Sequence, residues 1–367
     1  MRIALLQPSY WPEVWRGSER VVHDIGAQLA TLGHEVTLIT SHPERASEAL
    51  EDGVRVIRTR RPPRPGPMRW YEDHIESAPG MAWHLLRGRY DLAHAFQPAY
   101  AWAAVGARRL GGPPVVFSFH GIPERPYLVS RRYRLEMLHA TVAGAAASTV
   151  LSEAAAAVFR RYLLTDPTVL PAGYFQRDFG FELERVPDPT LVCAASLDVP
   201  RKRGRLLLRA FKALRGRRAD ARLLLVTRGG PPPVPATELP TGAAWLHVRD
   251  FHDIVQTYAR VWASVLPSIG EALGLVMIES LAAGTPVVAA KTGAGPEVVR
   301  SGSVGRLFEP DDEADLTRAM DEALDLGIDA RTAEACRARA AEYEWSRLIE
   351  AYERLYESVL ERAAAAG

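Results

Sequence analysis

The sequence predicts a two-domain α/β protein, and three observations carry that prediction. Short apolar segments alternate with amphipathic helical segments through both halves of the chain, which is typical of parallel sheets covered by helices. The 367 residues exceed what one hydrophobic core usually supports. Val186-Pro187-Asp188-Pro189 is rigid and incompatible with a helix, so we place the domain boundary there.

Each half provides its own set of strands and helices. In residues 1–186 the predicted strands lie near 2–7, 35–40, 54–58, 91–95, 114–118, 148–151 and 168–170, and the helices near 18–32, 98–110, 130–144 and 152–163. In residues 187–345 the predicted strands lie near 190–195, 222–227, 244–248, 263–266 and 286–289, and the helices near 203–215, 273–283, 312–325 and 331–342. A last helix is predicted near 346–363. Ligands of doubly wound sheets bind at the carboxyl ends of the strands, where functional residues are expected.

Composition narrows the functional class. Lys and Arg total 45 against 44 Asp and Glu, so the overall charge does not indicate a nucleic-acid partner. The two cysteines, Cys193 and Cys336, form neither a disulfide framework nor a Cys-rich metal site, which fits a reducing cytoplasm. The first apolar run breaks at Pro8, too early for a signal peptide, and no run approaches the ~20 residues that span a bilayer. We expect a cytoplasmic protein whose membrane contact is at most peripheral, at the inner face.

Residues 261–290 are the most informative segment for function. Glu271 follows a predicted strand, and Glu279 lies a turn or two inside the next helix. With a rise of about 1.5 Å per helical residue, their carboxylates can be ~10–12 Å apart, with the helix N-terminus between them. Leu273-Gly274-Leu275 places a glycine where backbone N–H groups can approach a phosphate. A nucleoside diphosphate sugar has this layout, with hydroxyls at both ends and charge in the middle.

The same segment carries a family resemblance. Pro267-Ser268 precedes Glu271, Glu279 follows at the E-x7-E spacing, and a Gly-Thr-Pro-Val-Val tail ends at Val288. This pattern resembles the family 4 retaining glycosyltransferases of the GT-B fold. The resemblance implies an α/β architecture of two Rossmann-like, doubly wound parallel-sheet domains that face each other across a cleft.

The resemblance also assigns roles to these parts. It implies an acceptor-binding domain at 1–186, a nucleotide-sugar donor-binding domain at 187–345, and a C-terminal helix within 346–367 that crosses back to the first domain. Glu271 would hold the hydroxyls of the transferred sugar, and Glu279 would hold the ribose.

Candidate acceptor residues of the first domain lie after its first strand. Gly17 stands where the family usually has two adjacent glycines, which let the backbone approach the donor phosphates and the acceptor. Arg16 replaces the first of these glycines and would narrow the acceptor side of the cleft or change its charge. Trp11 lies in the same loop. Ser18 is expected to cap the helix that follows. An ordinary strand-to-helix loop explains a single glycine as well.

Two further candidates follow strands of the first domain. His120 comes directly after the strand that ends at Phe119, and in the resembled family a histidine at this point helps to hold the transferred hexose. Ser152 matches a Ser-Glu pair of the family at another strand end, and it is equally well explained as a helix N-cap.

The second domain offers a cationic clamp for the leaving diphosphate. The family has an Arg and a Lys here; Lys202 matches the Lys, whereas Ser196 occupies the Arg position. Arg201, beside Lys202, is the favoured substitute, and Arg203 and Arg205 are expected to be solvated. Fixed cations stabilise the negative charge that develops when the bond between the sugar and the oxygen breaks.

Two other segments are expected to line the donor site. Arg249 and the residues up to Asp253 follow a strand where family loops surround the nucleobase. The loop from Thr292 to Glu297 is expected mainly to shape the wall of the cleft.

These features predict the transfer of a hexose-like sugar from a UDP- or GDP-type donor to an acceptor hydroxyl, with retention of configuration. Attack from the leaving-group face lets the departing phosphate oxygen take the proton, so no general base is required. We expect no metal and no cofactor besides the donor, since metal-ligand patterns are lacking. The alternatives are a GT-B nucleotide-sugar epimerase and a nucleotide-sugar-binding partner subunit with little activity; Ser196 motivates the second.

The acceptor is the open part of the prediction: a saccharide, a lipid-linked acceptor or a small natural product. The basic, Pro-rich segment 58–70, together with Arg131, Arg132 and Arg134, is suited to an anionic acceptor or lipid headgroups. A solvated loop explains the same composition and is the favoured interpretation.

Overall fold

The computed structural model describes residues 1–61, 74–228 and 232–365. The chain forms two compact units, one comprising Met1–Pro171 and the chain from Ser346 onward, the other Ala172–Trp345. The division thus falls after Pro171 rather than at the Val186–Pro189 segment. Most of the basic segment expected at 58–70 lies outside the described residues.

The first unit is built on an eight-stranded sheet. Its strands are β1 (Arg2–Leu6), β2 (Glu35–His42), β3 (Ser47–Glu51), β4 (Val54–Arg60), β5 (Leu92–Ala95), β6 (Val115–Phe119), β7 (Ala147–Val150) and β8 (Thr168–Val169). Its helices up to Pro171 are α1 (Gly17–Thr31), α2 (Ala78–Arg87), α3 (Pro98–Arg108), α4 (Arg125–Val129), α5 (Arg132–Gly144) and α6 (Glu153–Leu163). The strand order is β3-β4-β2-β1-β5-β6-β7-β8, and β3 alone pairs antiparallel in this sheet. The central strands are buried on both faces, which explains their continuous apolar runs.

The second unit is built on a six-stranded parallel sheet with the order β11-β10-β9-β12-β13-β14. Its strands are β9 (Thr190–Cys193), β10 (Arg222–Thr227), β11 (Ala243–His247), β12 (Ala263–Leu266), β13 (Val287–Ala290) and β14 (Gly305–Phe308). Its helices are α7 (Gly204–Arg215), α8 (Phe251–Arg260), α9 (Leu275–Ala282), α10 (Gly295–Val298), α11 (Glu313–Leu326) and α12 (Ala330–Ala340). The predicted α/β class is confirmed, and nearly all predicted strands and helices have counterparts.

The contacts of Arg185 explain why the division between the two units precedes the predicted boundary at Val186–Pro189. The partly buried Arg185 guanidinium donates hydrogen bonds to the carbonyls of Tyr258 (3.2 Å), Gly284 (3.0 Å) and Gly327 (3.2 Å). These carbonyls lie at the C-terminal ends of α8, α9 and α11, where helix dipoles favour a cation. Burial lowers the pKa of Arg185 to about 10, and the group stays charged at neutral pH. The segment before residue 187 is therefore part of the second unit.

The last helix, α13 (Trp345–Ala365), returns to the first unit, as the resemblance implied. Its Tyr356 hydroxyl lies 2.7 Å from Nδ1 of His94 on β5, and His94 Nε2 lies 2.6 Å from the Ser118 hydroxyl on β6. The Tyr352 hydroxyl donates to the carbonyl of Leu170 at 3.3 Å. These buried polar contacts fix the helix against the centre of the sheet.

Several elements were not predicted from the sequence, among them β3, β14, α2, α4 and α8. Strand β3 (Ser47–Glu51) is mostly exposed and antiparallel, so it lacks the apolar run of the buried strands. Helix α2 begins with Ala-Pro-Gly, a sequence typical of loops, although Pro is well tolerated in a first helical turn. Helix α8 begins inside the segment that was expected to be a loop around the nucleobase.

Candidate active site

Three loops meet at the carboxyl edge of the second unit's sheet. They follow β9, β12 and β13, and β12 lies between the other two strands. The Ile269 N–H donates to the Arg201 carbonyl at 3.0 Å, and the Ala294 N–H donates to the Glu271 carbonyl at 2.9 Å. The loop that carries Glu271 is therefore fixed by its two neighbours.

Glu271 is the electrostatic centre of these loops. Its Oε1 accepts from Lys202 Nζ at 2.5 Å and from Arg201 Nη1 at 3.0 Å. The side chains of Glu271 and Lys202 are 12% and 17% exposed, whereas that of Arg201 is 51% exposed. Burial raises the pKa of Glu271, but the charges of Lys202 and Arg201 outweigh that effect, and the pKa lies below its ordinary value. At neutral pH the carboxylate is ionised and holds two cations.

Glycines make this arrangement possible at two positions. Gly274, which precedes α9, has φ +74°, and a Cβ there would lie 2.6 Å from Cε of Met277. Gly293 has φ +56°, and a Cβ there would lie 2.5 Å from the Glu271 carbonyl oxygen. The loop from Thr292 to Glu297 therefore packs directly on the backbone of Glu271, a support that the sequence did not reveal.

The predicted donor residues of α9 lie where the spacing placed them. Leu273 and Gly274 form the approach to the helix, and Leu275 is its first residue. Glu279 is buried in the next turn, 5% exposed. The N-terminal end of α9 thus lies between the two glutamates along the chain, with its backbone N–H groups available to an anion.

The expectation that Arg203 and Arg205 are both solvated holds for Arg205 but not for Arg203, whose side chain is 30% exposed and paired with Asp311. Arg203 adopts φ +53° just before α7, and its Nη2 donates to Asp311 at 3.0 Å, while Arg205 is exposed. Among these arginines, Arg201 is the one that joins Lys202 at Glu271. Ser196 is exposed, in the same loop.

Arg249 is placed differently from what was expected. Its guanidinium forms two 3.0 Å hydrogen bonds with Asp253, four residues along, and its side chain is 85% exposed. These bonds hold the pKa of Asp253 down at about 2. Asp250 caps α8, its carboxylate accepting from the Asp253 N–H. The segment is a capped helix start rather than an open loop.

The loop of the first unit between β1 and α1 contains Trp11, Arg16 and Gly17. Helix α1 begins at Gly17, with Arg16 as an exposed N-cap residue in extended conformation. The prediction that Ser18 caps this helix is wrong, because its hydroxyl accepts from Gln7 Nε2 at 3.3 Å. The Trp11 ring packs against that of Trp15 in a tilted arrangement, with centroids 4.4 Å apart.

Glu19 was missed by sequence reasoning. It lies in the first turn of α1, is 3% exposed, and accepts a 2.8 Å hydrogen bond from the Ser9 hydroxyl. Burial raises its pKa above the ordinary value of a glutamate. A signal existed in the sequence, namely an acid inside an otherwise apolar helix face.

His120 lies directly after β6, as predicted. Both ring nitrogens are buried and have no hydrogen-bond partner among the described residues, and the Phe96 ring lies 5.1 Å from the imidazole. Burial lowers the pKa of His120 to about 3, so the imidazole is neutral at physiological pH. A neutral imidazole can donate from one nitrogen and accept at the other, as a sugar hydroxyl requires.

Ser152 is explained by helix capping. Its hydroxyl accepts from the Ala155 N–H at 3.3 Å, and the residue is 2% exposed. The structure thus favours the structural alternative for Ser152 over acceptor binding.

The arginines proposed for an anionic acceptor are largely engaged within the described residues. Arg58 is 7% exposed and bonds to Glu13 and Glu51. Arg134 is buried, with its guanidinium over the Tyr127 ring, and Arg132 pairs with Glu136 on the surface. These contacts argue against a basic acceptor surface built from Arg58 and Arg134.

The part of the chain that the structure describes lacks two features, a metal-ligand cluster and a membrane-spanning helix. No group of three or more His, Cys, Asp or Glu side chains suited to a metal ion was found among the described residues. None of the helices in that part of the chain is long and apolar enough to cross a bilayer.

Two family models match this chain, one in each half of the sequence. Residues 15–174 match the model described as Glycosyltransferase Family 4, and residues 188–325 match that described as Glycosyl transferases group 1.

Relatives extend over most of the chain. A phosphatidyl-myo-inositol mannosyltransferase of Propionibacterium freudenreichii is 28% identical, covering 94% of this chain and 92% of the relative. An MMP alpha-(1->4)-mannosyltransferase of Mycolicibacterium hassiacum is 29% identical over 100% of both chains.

Solved structures share the fold. A sucrose-phosphate synthase from Thermosynechococcus elongatus superposes with a TM-score of 0.82 at 20% identity, over 98% of this chain and 99% of that chain. HepE of Anabaena, solved in complex with UDP, gives a TM-score of 0.74 at 17% identity, over 98% of this chain and 100% of that chain. Given the two family models, these relatives and the loops around Glu271, the chain belongs to the family 4 glycosyltransferases of the GT-B fold.

Proposed function

We propose that this protein is a retaining hexosyltransferase that uses a UDP- or GDP-type sugar donor. The carrying observation is that the Glu271 carboxylate holds Lys202 and Arg201 beside the N-terminal end of α9. A nucleotide-sugar donor carries its charge on the diphosphate and its hydroxyls on the sugar and the ribose, so these groups lie at separate points of the molecule. This arrangement offers cations and backbone N–H groups for the diphosphate and carboxylates for the hydroxyls.

The roles follow from the chemistry of each group. Lys202, with Arg201, would bind the diphosphate, while Glu271 would accept hydrogen bonds from the sugar and Glu279 from the ribose. In this proposal the second unit binds the donor and the first binds the acceptor through the loop of Trp11, Arg16 and Gly17. The neutral His120 would exchange hydrogen bonds with the transferred sugar.

In the transfer step the acceptor oxygen bonds to the anomeric carbon while the bond to the diphosphate oxygen breaks. The acceptor proton passes to that departing oxygen, on the same face of the sugar, so configuration is retained. Lys202 and Arg201 stabilise the charge that develops on the diphosphate. We propose that these cations take the role of a metal, and that the reaction needs no cofactor besides the donor.

The position of Arg201 favours an active transferase over a subunit that only binds the donor. Ser196 motivated the alternative of a partner subunit with little activity, because it leaves one cation short. Arg201 supplies a second cation at Glu271, and the cysteines Cys193 and Cys336 are free and buried, in keeping with a cytoplasmic enzyme.

A donor panel tests the proposal. The protein would be incubated with UDP-, GDP- and ADP-hexoses and a mixture of acceptors, and the products resolved by mass spectrometry and NMR. Transfer of an anomerically retained hexose, with release of the nucleoside diphosphate, is expected. An epimerised nucleotide sugar, or donor binding without any turnover, would contradict the proposal and favour one of the two alternatives.

A further inference from the structure

The loop between β1 and α1 presents a pair of tryptophans that the fold does not bury. The rings of Trp11 and Trp15 lie 4.4 Å apart between centroids, inclined by 41°, and both residues are partly exposed. The loop leaves the sheet at the carboxyl end of β1, the edge where ligands of parallel α/β sheets bind. Aromatic side chains in such positions usually line binding sites.

The loop is held in place by buried polar contacts. Near its start, the Ser9 hydroxyl donates to the buried Glu19 at 2.8 Å. In its middle, Glu13 accepts from Arg58 Nε at 2.7 Å, and Glu51 fixes the same guanidinium through both carboxylate oxygens at 2.7 and 3.0 Å. Arg58 is 7% exposed, so these ion pairs are shielded from solvent on the arginine side. The tryptophan pair is therefore a preorganised surface.

The charges around the pair help to identify the partner. Arg16 is exposed at the N-terminus of α1, and the nearby acids Glu13, Glu51 and Asp52 keep side-chain exposures of 33%, 31% and 68%. An anionic membrane surface requires an excess of basic residues beside its aromatic groups. Arg61 also reaches the loop, donating to the Pro8 carbonyl at 3.4 Å. The described charges around the pair are therefore balanced rather than basic, which favours an uncharged ligand rich in hydroxyl groups.

We propose that the acceptor is a glycoside whose sugar ring packs on Trp11 and Trp15. The C–H face of a pyranose matches the apolar face of an indole, and its hydroxyls can accept from Arg16 and donate to Glu13. This assignment rests on the proposed function, in which the first unit binds the acceptor. It adds Trp15 as a specificity residue and names the acceptor's class.

Kinetics with W11L and W15L test the assignment. W102L is the matched control, since Trp102 is 49% exposed on α3 of the same unit, outside this loop. Methyl hexosides would serve as ring acceptors, glycerol as a ringless one and water as the acceptor in donor hydrolysis. For W11L and W15L the KM for methyl hexosides should rise about tenfold. The donor KM, donor hydrolysis and transfer to glycerol should stay within about twofold of wild type.

Three results would overturn the assignment: a KM for hexosides in W11L and W15L that matches W102L, an equal loss with glycerol, or a loss of donor hydrolysis. The last would show that the tryptophans serve donor turnover rather than acceptor binding, provided that W102L keeps donor hydrolysis.

A binding measurement separates this inference from the proposed function. If the wild type neither transfers nor hydrolyses any donor, the proposed function fails. Tryptophan fluorescence would then be titrated with methyl hexosides and, separately, with vesicles of anionic phospholipid. A saturable change with hexosides that is lost in W11L and W15L but kept in W102L supports the sugar-binding surface. No response to hexosides, or a Trp-dependent response to vesicles alone, overturns it.

Discussion

The two units handle charge at their candidate sites in opposite ways. In the second unit, the buried Glu271 is ionised because Lys202 and Arg201 lie against it. In the first unit, burial leaves His120 neutral and raises the pKa of Glu19, and none of the described residues bonds a cation to either side chain. A site that faces a diphosphate needs fixed charge, whereas a site that faces hydroxyls works with neutral donors and acceptors. The difference supports donor binding in the second unit and sugar or acceptor binding in the first.

The largest effect is expected at Lys202. Lys202→Ala should lower kcat about 10²–10³-fold, with a much smaller change in donor Kd, because its charge is most useful as the phosphate leaves. Single-turnover kinetics and donor calorimetry would measure the two quantities. Arg203→Ala is the matched control, since Arg203 pairs with Asp311 instead. Wild-type turnover in Lys202→Ala would remove the contrast between the two units.

His120 should make stability depend on pH. Its pKa is about 3 in the folded protein and ordinary, near 6.5, in the unfolded chain, so the unfolded chain binds a proton first as pH falls. The contribution of the neutral His120 ring to the free energy of unfolding is fully present above pH 6.5. It is lost between pH 6.5 and 3, by up to ~1.4 kcal/mol per pH unit.

Urea unfolding at several pH values would test this expectation. Between pH 6.5 and 4, His120→Asn should lose less stability than wild type. His94, whose pKa is lowered by burial and further by the neighbouring His120, remains in both proteins, so the comparison reports His120 together with its coupling to His94. Equal slopes in the two proteins would show that His120 is charged in the folded state.

The two glutamates should respond differently to free nucleoside diphosphate. Glu279→Gln should weaken its binding about tenfold, since a charged acceptor for the ribose hydroxyls is lost. Glu271→Gln should leave binding unchanged or tighten it, because Lys202 and Arg201 are released from the carboxylate. Calorimetry with UDP and GDP measures both variants. Equal losses would refute the division of roles along α9.

The smallest effect is expected at Ser196. If Arg201 already supplies the second cation, Ser196→Arg should change donor Kd less than tenfold or reduce activity by repelling Lys202. The double variant Ser196→Arg, Arg201→Ala should then recover part of the affinity lost in Arg201→Ala. Tightening of tenfold or more in the single variant, roughly 1.4 kcal/mol, would show that the second cation is missing.

The fold and the positions of Glu271 and Glu279 in it could be predicted because local patterns encode them. Buried parallel strands leave apolar runs, and Glu271 and Glu279 stand at a fixed spacing in one strand-loop-helix segment. Contacts between distant segments leave no such pattern. The packing of Gly293 on Glu271 and the bond from Ser9 to Glu19 depend on loops brought together only by the fold. Ser152 could not be decided from the sequence, because capping and ligand binding favour the same residue type.

The position of Arg185 has a consequence for cutting the chain into fragments. Its guanidinium serves the carbonyls of three helix ends in the second unit, and the Val186 N–H donates to Arg260 at 2.9 Å. A fragment of the second unit begun at Pro187 would leave those carbonyls without their cation, although every described strand of its sheet would be present. A fragment begun at Ala172 keeps the anchor. Cleavage before Ala172 and after Trp345 would release the second unit with the Arg185 contacts intact, whereas cleavage after Arg185 would remove these contacts.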